Sequence, residues 1–327
     1  MLGDAGRDPD VAMTIDDFAK RFQHGLDAMA SRPLALARGD YDRLCASFAT
    51  PLPTTMRITD ERIAGVPVRR YRPGRVRGRV RGNERGKASG RVEGIDSPLS
   101  HAHAHAHADT GQQTVLYVHG GGFTIGSLDS HQGVAAGLAE ALGREVVSVQ
   151  YRLLPEARYS DQLDDVDRVR RWLQPCAMVG DSAGGRLVLD VARAAKDPHP
   201  LGMIYPLLGD MSETSLGPDA PLLSRRDAQA AWAMIASDAA RAGDAPPVSS
   251  AVECLVVEHD PLTPAILATL DQWRQQRRQV GLHTAEGMFH GALHAHAQLA
   301  PMSISWRGFC RALVCHLDKR RLGYSLR

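Results

Sequence analysis

Between residues 114 and 257, short apolar runs alternate with stretches whose apolar positions recur every three to four residues. The runs occupy 114–118, 145–150, 176–179, 202–205 and 252–257. Each is short for a helix and apolar at successive positions, the pattern of a strand covered on both faces. Between them, Leu163, Val166, Val169 and Leu173 form one helical stripe, and Leu187, Val188, Val191 and Ala195 another. Strands alternating with amphipathic helices predict an α/β fold with a mostly parallel sheet and helices on both faces. Upstream, Ile15, Phe18, Phe22, Leu26 and Met29 share one face of a helix predicted over 14–30. Thr14 is placed to cap it, and Asp16 and Asp17 suit the positive end of its dipole. Two short strands are predicted at 57–60 and 66–71.

Two segments break the alternation. Residues 207–250 are polar and proline-containing around one helix-like piece at 225–240, the pattern of a lid or cap. Residues 74–109 run through GRVRGRVRGNERGKASGRVEG and HAHAHAHA, with repeat character and little to bury. They predict a flexible low-complexity insertion. In an extended chain His101, His103, His105 and His107 would share a face able to chelate a transition metal. Arg75, Arg77, Arg79, Arg81, Arg85 and Arg91 are the matching argument for nucleic acid. Low-complexity expansion in a surface loop accounts for both tracts without a selected site, so neither a metal nor a nucleic-acid partner is expected.

Composition narrows the class. Of the 327 residues, 43% are hydrophobic and 23% charged, which supports a buried core through most of the chain. The formal net charge of +2 gives no general attraction for nucleic acid or an acidic membrane. Five cysteines without C-x-x-C spacing argue against a disulfide framework and for a reducing cytoplasm. The N-terminal sequence lacks the basic and apolar regions of a signal peptide, and no run approaches a membrane span. A cytoplasmic protein with no membrane partner is the expectation.

Candidate chemistry lies where strands end. In Gly180-Asp181-Ser182-Ala183-Gly184-Gly185 an apolar run leads in and a helical pattern leads out, the context of a nucleophile elbow. Glycines at 180 and 184 would relieve clashes around a strained serine, and the Ala183 N–H would sit beside a reacting carbonyl. His119-Gly120-Gly121-Gly122-Phe123 likewise follows a strand, and its glycines let successive N–H groups approach an oxyanion. A phosphate loop competes for this motif, but the Lys-Ser/Thr and G-x-G-x-x-G signatures are missing. A serine nucleophile needs a base and an orienting acid. Asp260 follows the run ending at Val257, with Glu258 and His259 as local rivals. His290, beside Gly291 and after a strand predicted at 281–285, is the preferred base. His294 and His296 read as ordinary helix residues, and His283 lies within the predicted strand.

These motifs, with Tyr151-Arg152-Leu153-Leu154-Pro155-Glu156, Asp260-Pro261-Leu262 and His290-Gly291, resemble the hormone-sensitive-lipase-like family of bacterial esterases, family IV, over about 66–317. The resemblance implies an α/β-hydrolase fold with a small helical cap. The cap would draw on residues 1–50 and 207–250, the remainder of 51–327 forming the core. It implies Ser182 as nucleophile, His290 as general base and acid, Asp260 as its orienting partner, and Gly121, Gly122 and Ala183 as oxyanion-hole donors. It implies a small-molecule ester, typically short-chain, as substrate, with no metal or organic cofactor, and leaves a homodimer open. An amidase or deacetylase would use the same groups, and a binding protein that has lost catalysis would share the scaffold. The chain departs from the family in a short crossover with room for one helix at about 161–174, in Ala292 where an aromatic residue is common, and in the 74–109 insertion.

Overall fold

The computed structural model describes residues 13–74, 114–209, 211–242 and 244–321. Residues 75–109 of the low-complexity insertion, including its arginine and histidine tracts, lie outside the described residues, as do residues 1–12 of the N-terminal region. Eight strands form a single sheet in the order β1-β2-β4-β3-β5-β6-β7-β8. They are β1 (Arg57–Ile63), β2 (Val66–Arg72), β3 (Thr114–Val118), β4 (Glu145–Val149), β5 (Ala177–Asp181), β6 (Leu201–Ile204), β7 (Val252–His259) and β8 (Val280–Phe289). β1 and β2 form a hairpin, and β2 lies antiparallel to β4. All other neighbours are parallel. Ile63 pairs directly with Val66 across Ala64 and Gly65, both at positive φ, the two-residue turn whose twist matches that of the strands.

The helices are α1 (Ile15–Ala30), α2 (Leu34–Ala46), α3 (Gln132–Leu142), α4 (Tyr159–Leu173), α5 (Ala183–Ala194), α6 (Arg225–Ala242), α7 (Thr263–Gln275) and α8 (Ala300–Arg321). The period of two in each strand sorts its side chains between two cores. Leu116 and Val118 of β3 join Val166, Leu187 and Trp273 on one face. Val115 and Tyr117 join Phe18, Leu138 and Phe309 on the other. This is why the central strands are apolar throughout.

The crossover between β4 and β5 is one helix, α4, close to the predicted 161–174. Thr14 caps α1 as expected, its hydroxyl accepting the Asp17 N–H at 3.1 Å. Several boundaries shift by one to four residues from the sequence reading, among them three C-terminal ends. β1 continues to Ile63, α6 continues to Ala242, and the last strand does not stop at 285 but continues to Phe289. Alternation explains the last: Ala285 and Met288 are buried and the residues between them are not, across an irregularity in the register between Val257 and His259. No helix of the described residues is long and apolar enough to cross a membrane.

Candidate active site

β5 ends at Asp181 and α5 begins at Ala183, leaving Ser182 alone in the turn with φ 49° and ψ −119°. A non-glycine residue there costs about 1–3 kcal/mol and must be held by its surroundings. The Ser182 N–H donates to the Ile204 carbonyl at 2.8 Å, and the Ser182 carbonyl accepts from Arg186 at 3.2 Å and Leu207 at 3.3 Å. Glycine is required on either side: a Cβ on Gly180 would strike the Gly184 carbonyl oxygen, and one on Gly184 the Val118 carbonyl oxygen. Ala183 is the first residue of α5, so its N–H has no acceptor within the helix and lies at the positive end of the helix dipole.

The glycine run leaves β3 next to this turn. Gly121 and Gly122 have φ +113° and +55°, and a Cβ on Gly121 would strike the Ile125 carbonyl oxygen, whereas Gly122 faces open space. The Gly121 carbonyl closes the turn by accepting from Thr124 at 3.1 Å and Ile125 at 3.0 Å.

Asp181, only 3% exposed, links the two turns. Its Oδ1 accepts the Gly120 N–H at 3.0 Å and the Tyr117 hydroxyl at 2.5 Å, and its Oδ2 lies 3.4 Å from His131 Nε2. Burial pushes this carboxyl up, but His131 and the Tyr117 hydroxyl outweigh that and hold it down to about 2. His119 stacks between Tyr151 and His131, with ring centroids 4.4 and 5.3 Å away. Burial, reinforced by His131, lowers its pKa to about 3, so it is neutral at ordinary pH.

Asp260 and His290 arrive from β7 and β8, which pair in parallel and end on the same side of the sheet. Asp260 Oδ1 accepts the Leu262 N–H at 2.9 Å, which leaves Oδ2 directed at His290 Nδ1, 2.7 Å away. His290 Nε2 lies 2.9 Å from Ser182 Oγ. A proton on Nδ1, held by the carboxylate, leaves Nε2 free to accept from the serine hydroxyl. The Tyr205 ring packs against the imidazole with centroids 4.3 Å apart, and Gly291 at φ +83° turns the chain away after it.

The structure therefore brings Ser182, Asp260 and His290 into one chain of hydrogen bonds, and Gly121, Gly122 and Ala183 onto the same cavity. The local rivals lie elsewhere. Glu258 and His259 are exposed at the end of β7, and Glu258 accepts the Gly287 N–H. His283 pairs with Glu253 at 2.8 Å. One reading needs correction: His294 and His296 are not ordinary helix positions. Both are buried, His294 within the short 3-10 turn Ala292–Ala295 and His296 at its C-cap, and His294 borders the cavity, its Nε2 3.2 Å from the Tyr41 hydroxyl. Burial, reinforced by His131, lowers its pKa to about 3. Asp181, Tyr117, His131 and Tyr205 drew no role from the sequence. Only Asp181 carried a signal, its place beside Ser182.

The cavity over Ser182 holds about 600 Å³. Phe22 and Leu26 of α1, Leu207, Leu222 and Leu223 of the following connection, and Ala231 of α6 supply apolar walls.

The family model for the alpha/beta hydrolase fold matches residues 115–294, and the chain belongs to that family. Among curated proteins it is similar to an ethyl acetate hydrolase of Pseudomonas putida, 39% identical over 110 residues, 28% of this chain and 35% of that protein. It is also similar to the carboxylesterase NlhH of Mycobacterium tuberculosis, 37% identical over 139 residues, 36% of this chain and 44% of that protein. The matched region thus spans less than half the length of these relatives. Among solved structures, an esterase of the bacterial hormone-sensitive lipase family shares the fold at TM-score 0.72 and 19% identity, over 93% of this chain and 100% of that one. DphMB1 aligns at TM-score 0.66 and 26% identity, over 88% and 93%.

Proposed function

We propose that the chain is a carboxylic ester hydrolase of the hormone-sensitive-lipase type. Ser182 is its nucleophile, His290 its general base and acid, and Asp260 the group that orients His290. The observation that carries this reading is the hydrogen-bonded run from Asp260 Oδ2 through His290 to Ser182 Oγ, at 2.7 and 2.9 Å. His290 removes the serine proton as Oγ attacks the ester carbonyl, and the N–H groups of Gly121, Gly122 and Ala183 receive the oxyanion. His290 then gives that proton to the departing alkoxide, leaving an acyl-enzyme. Water, deprotonated by His290, attacks the acyl carbonyl, and collapse returns the proton to Ser182 as the acid leaves.

Residues from α1 and from 207–242 act as a cap that walls the acyl cavity. Its mainly apolar lining, with Asp27 and Asp227 among the polar residues, and its modest volume favour short-chain esters without a negative charge. A series of 4-nitrophenyl esters from acetate to decanoate tests the proposal on purified protein. Hydrolysis should be highest for the short acyl groups and should vanish in Ser182→Ala. Equal rates for wild type and Ser182→Ala would refute it.

A further inference from the structure

The geometry points to Asp181 as the positioning residue of the oxyanion site: by holding the Gly120 N–H on Oδ1, it sets the direction in which the next two N–H groups face Ser182. This rests on the proposed roles of Ser182, Gly121 and Gly122 and adds a part that their motifs do not specify.

Glycines are free to adopt many conformations, so a run of three does not by itself aim its N–H groups. Something rigid must anchor its first member. β3 and β5 are paired neighbours, Val118 opposite Gly180, so both turns leave adjacent strands at the same level. Asp181 closes the gap between them, one peptide before the nucleophile and 3.0 Å from the Gly120 nitrogen. Gly120 has no room for a side chain because the Asp181 carboxylate fills the space a Cβ would take. Oδ1 also accepts the Tyr117 hydroxyl at 2.5 Å, and the other oxygen, Oδ2, faces Nε2 of His131 at 3.4 Å, whose Nδ1 is 2.9 Å from Ser130 Oγ. A buried carboxylate that takes two hydrogen bonds on Oδ1 and faces an imidazole on Oδ2 is held in place, and the glycine turn shares that anchor. Misplacing a reacting group by 1 Å costs about 10²-fold in rate, and loss of one oxyanion donor costs on the order of 10²- to 10³-fold.

The test compares Asp181→Ala, Asp181→Asn and wild type in ester hydrolysis and in binding of an alkyl trifluoromethyl ketone. Ser182 Oγ adds to the ketone carbon, its proton passes to His290, and the hemiketal oxyanion occupies the oxyanion site. Asp181→Ala should lower kcat by about 10²-fold with KM within about threefold, and should weaken the ketone by a similar factor. Asp181→Asn keeps an acceptor for the Gly120 N–H and can turn its amide nitrogen toward His131, so it should recover kcat and ketone affinity to within about tenfold of wild type. Should Asp181→Ala not fold, Gly120→Ala breaks the same contact from the other side and should show the same paired loss.

Three results would overturn the inference. The first is a folded Asp181→Ala or Gly120→Ala with kcat and ketone affinity near wild type. The second is a loss of kcat without a loss of ketone affinity, and the third an Asp181→Asn that melts like wild type yet is as slow as Asp181→Ala. If wild type itself shows no Ser182-dependent hydrolysis and binds no ketone, it is the esterase reading that fails, and this one with it.

Discussion

The floor of the cavity and its roof are built on different principles. Behind Ser182, polar side chains are tied by directed hydrogen bonds: Asp181 to Tyr117 and Gly120, His131 to Ser130, His294 to Tyr41, and His290 to Asp260. In the roof, α1 and the 207–242 segment present Phe22, Leu26, Leu222, Leu223 and Ala231, which meet the cavity by shape rather than by directed bonds. A reacting geometry has to be exact to fractions of an ångström, so the floor sits on strands that the sheet holds in register. An acyl chain asks only for apolar volume, which helices joined by loops can supply in many ways. Changes in the floor should therefore act on rate or global stability, and changes in the roof on substrate choice.

The largest effect is expected at Asp260. Asp260→Asn keeps the size of the side chain but presents an amide to His290 Nδ1, which favours the tautomer that cannot accept from Ser182. kcat should fall by about 10⁴-fold with little change in melting temperature, measured by ester hydrolysis and calorimetry. A loss below about tenfold would place the orienting role elsewhere.

Acid should break the floor next. His119 and His294 are held neutral, each with a pKa of about 3, against about 6.5 for an unfolded histidine. Below pH 6.5 the unfolded chain binds more protons than the folded one, so stability is full above that pH and is lost as pH falls toward 3. The slope approaches about 1.4 kcal/mol per pH unit for each of these histidines. Melting temperature should drop between pH 7 and pH 5, and a flat profile there would contradict the burial of two neutral imidazoles.

The roof gives smaller and more selective effects. Ala231→Phe adds volume where α6 faces the cavity, and should cut kcat/KM for a hexanoyl ester by about tenfold while sparing the acetyl ester. An equal loss for both esters would show that α6 bears on the floor. Thr14→Ala removes the cap of α1 and should cost about 1 kcal/mol of stability, read by chemical denaturation, with kcat unchanged.

This division also marks how far the sequence could be read. The alternation of apolar runs and helical stripes located β3 to β7 and α4 and α5, because strands buried on both faces leave an unbroken apolar signature. The floor's proposed reacting groups were legible for a related reason. A strained serine needs glycines at 180 and 184, and an oxyanion turn needs them at 121 and 122, so backbone geometry left a mark in residue type. Asp181 had no such mark, since its partners lie on a different strand and its continuation: Tyr117 in β3, Gly120 in the turn after it and His131 just before α3. The end of β8 is hidden in the sequence because Glu286 and Gly287 interrupt its apolar pattern, and Glu258 supplies the hydrogen bond that carries the chain past Gly287. Nor did α2 stand out, since Ala35, Arg38, Gly39 and Asp42 leave little contrast between its faces.

The central claim is that Ser182 is an activated nucleophile, and labelling of the folded protein by a fluorophosphonate tests it most directly. Wild type should gain one phosphonyl group at Ser182, identified by peptide mass, while Ser182→Ala gains none and heat-unfolded wild type gains none. Absence of labelling in folded wild type, or equal labelling in Ser182→Ala, would contradict the claim.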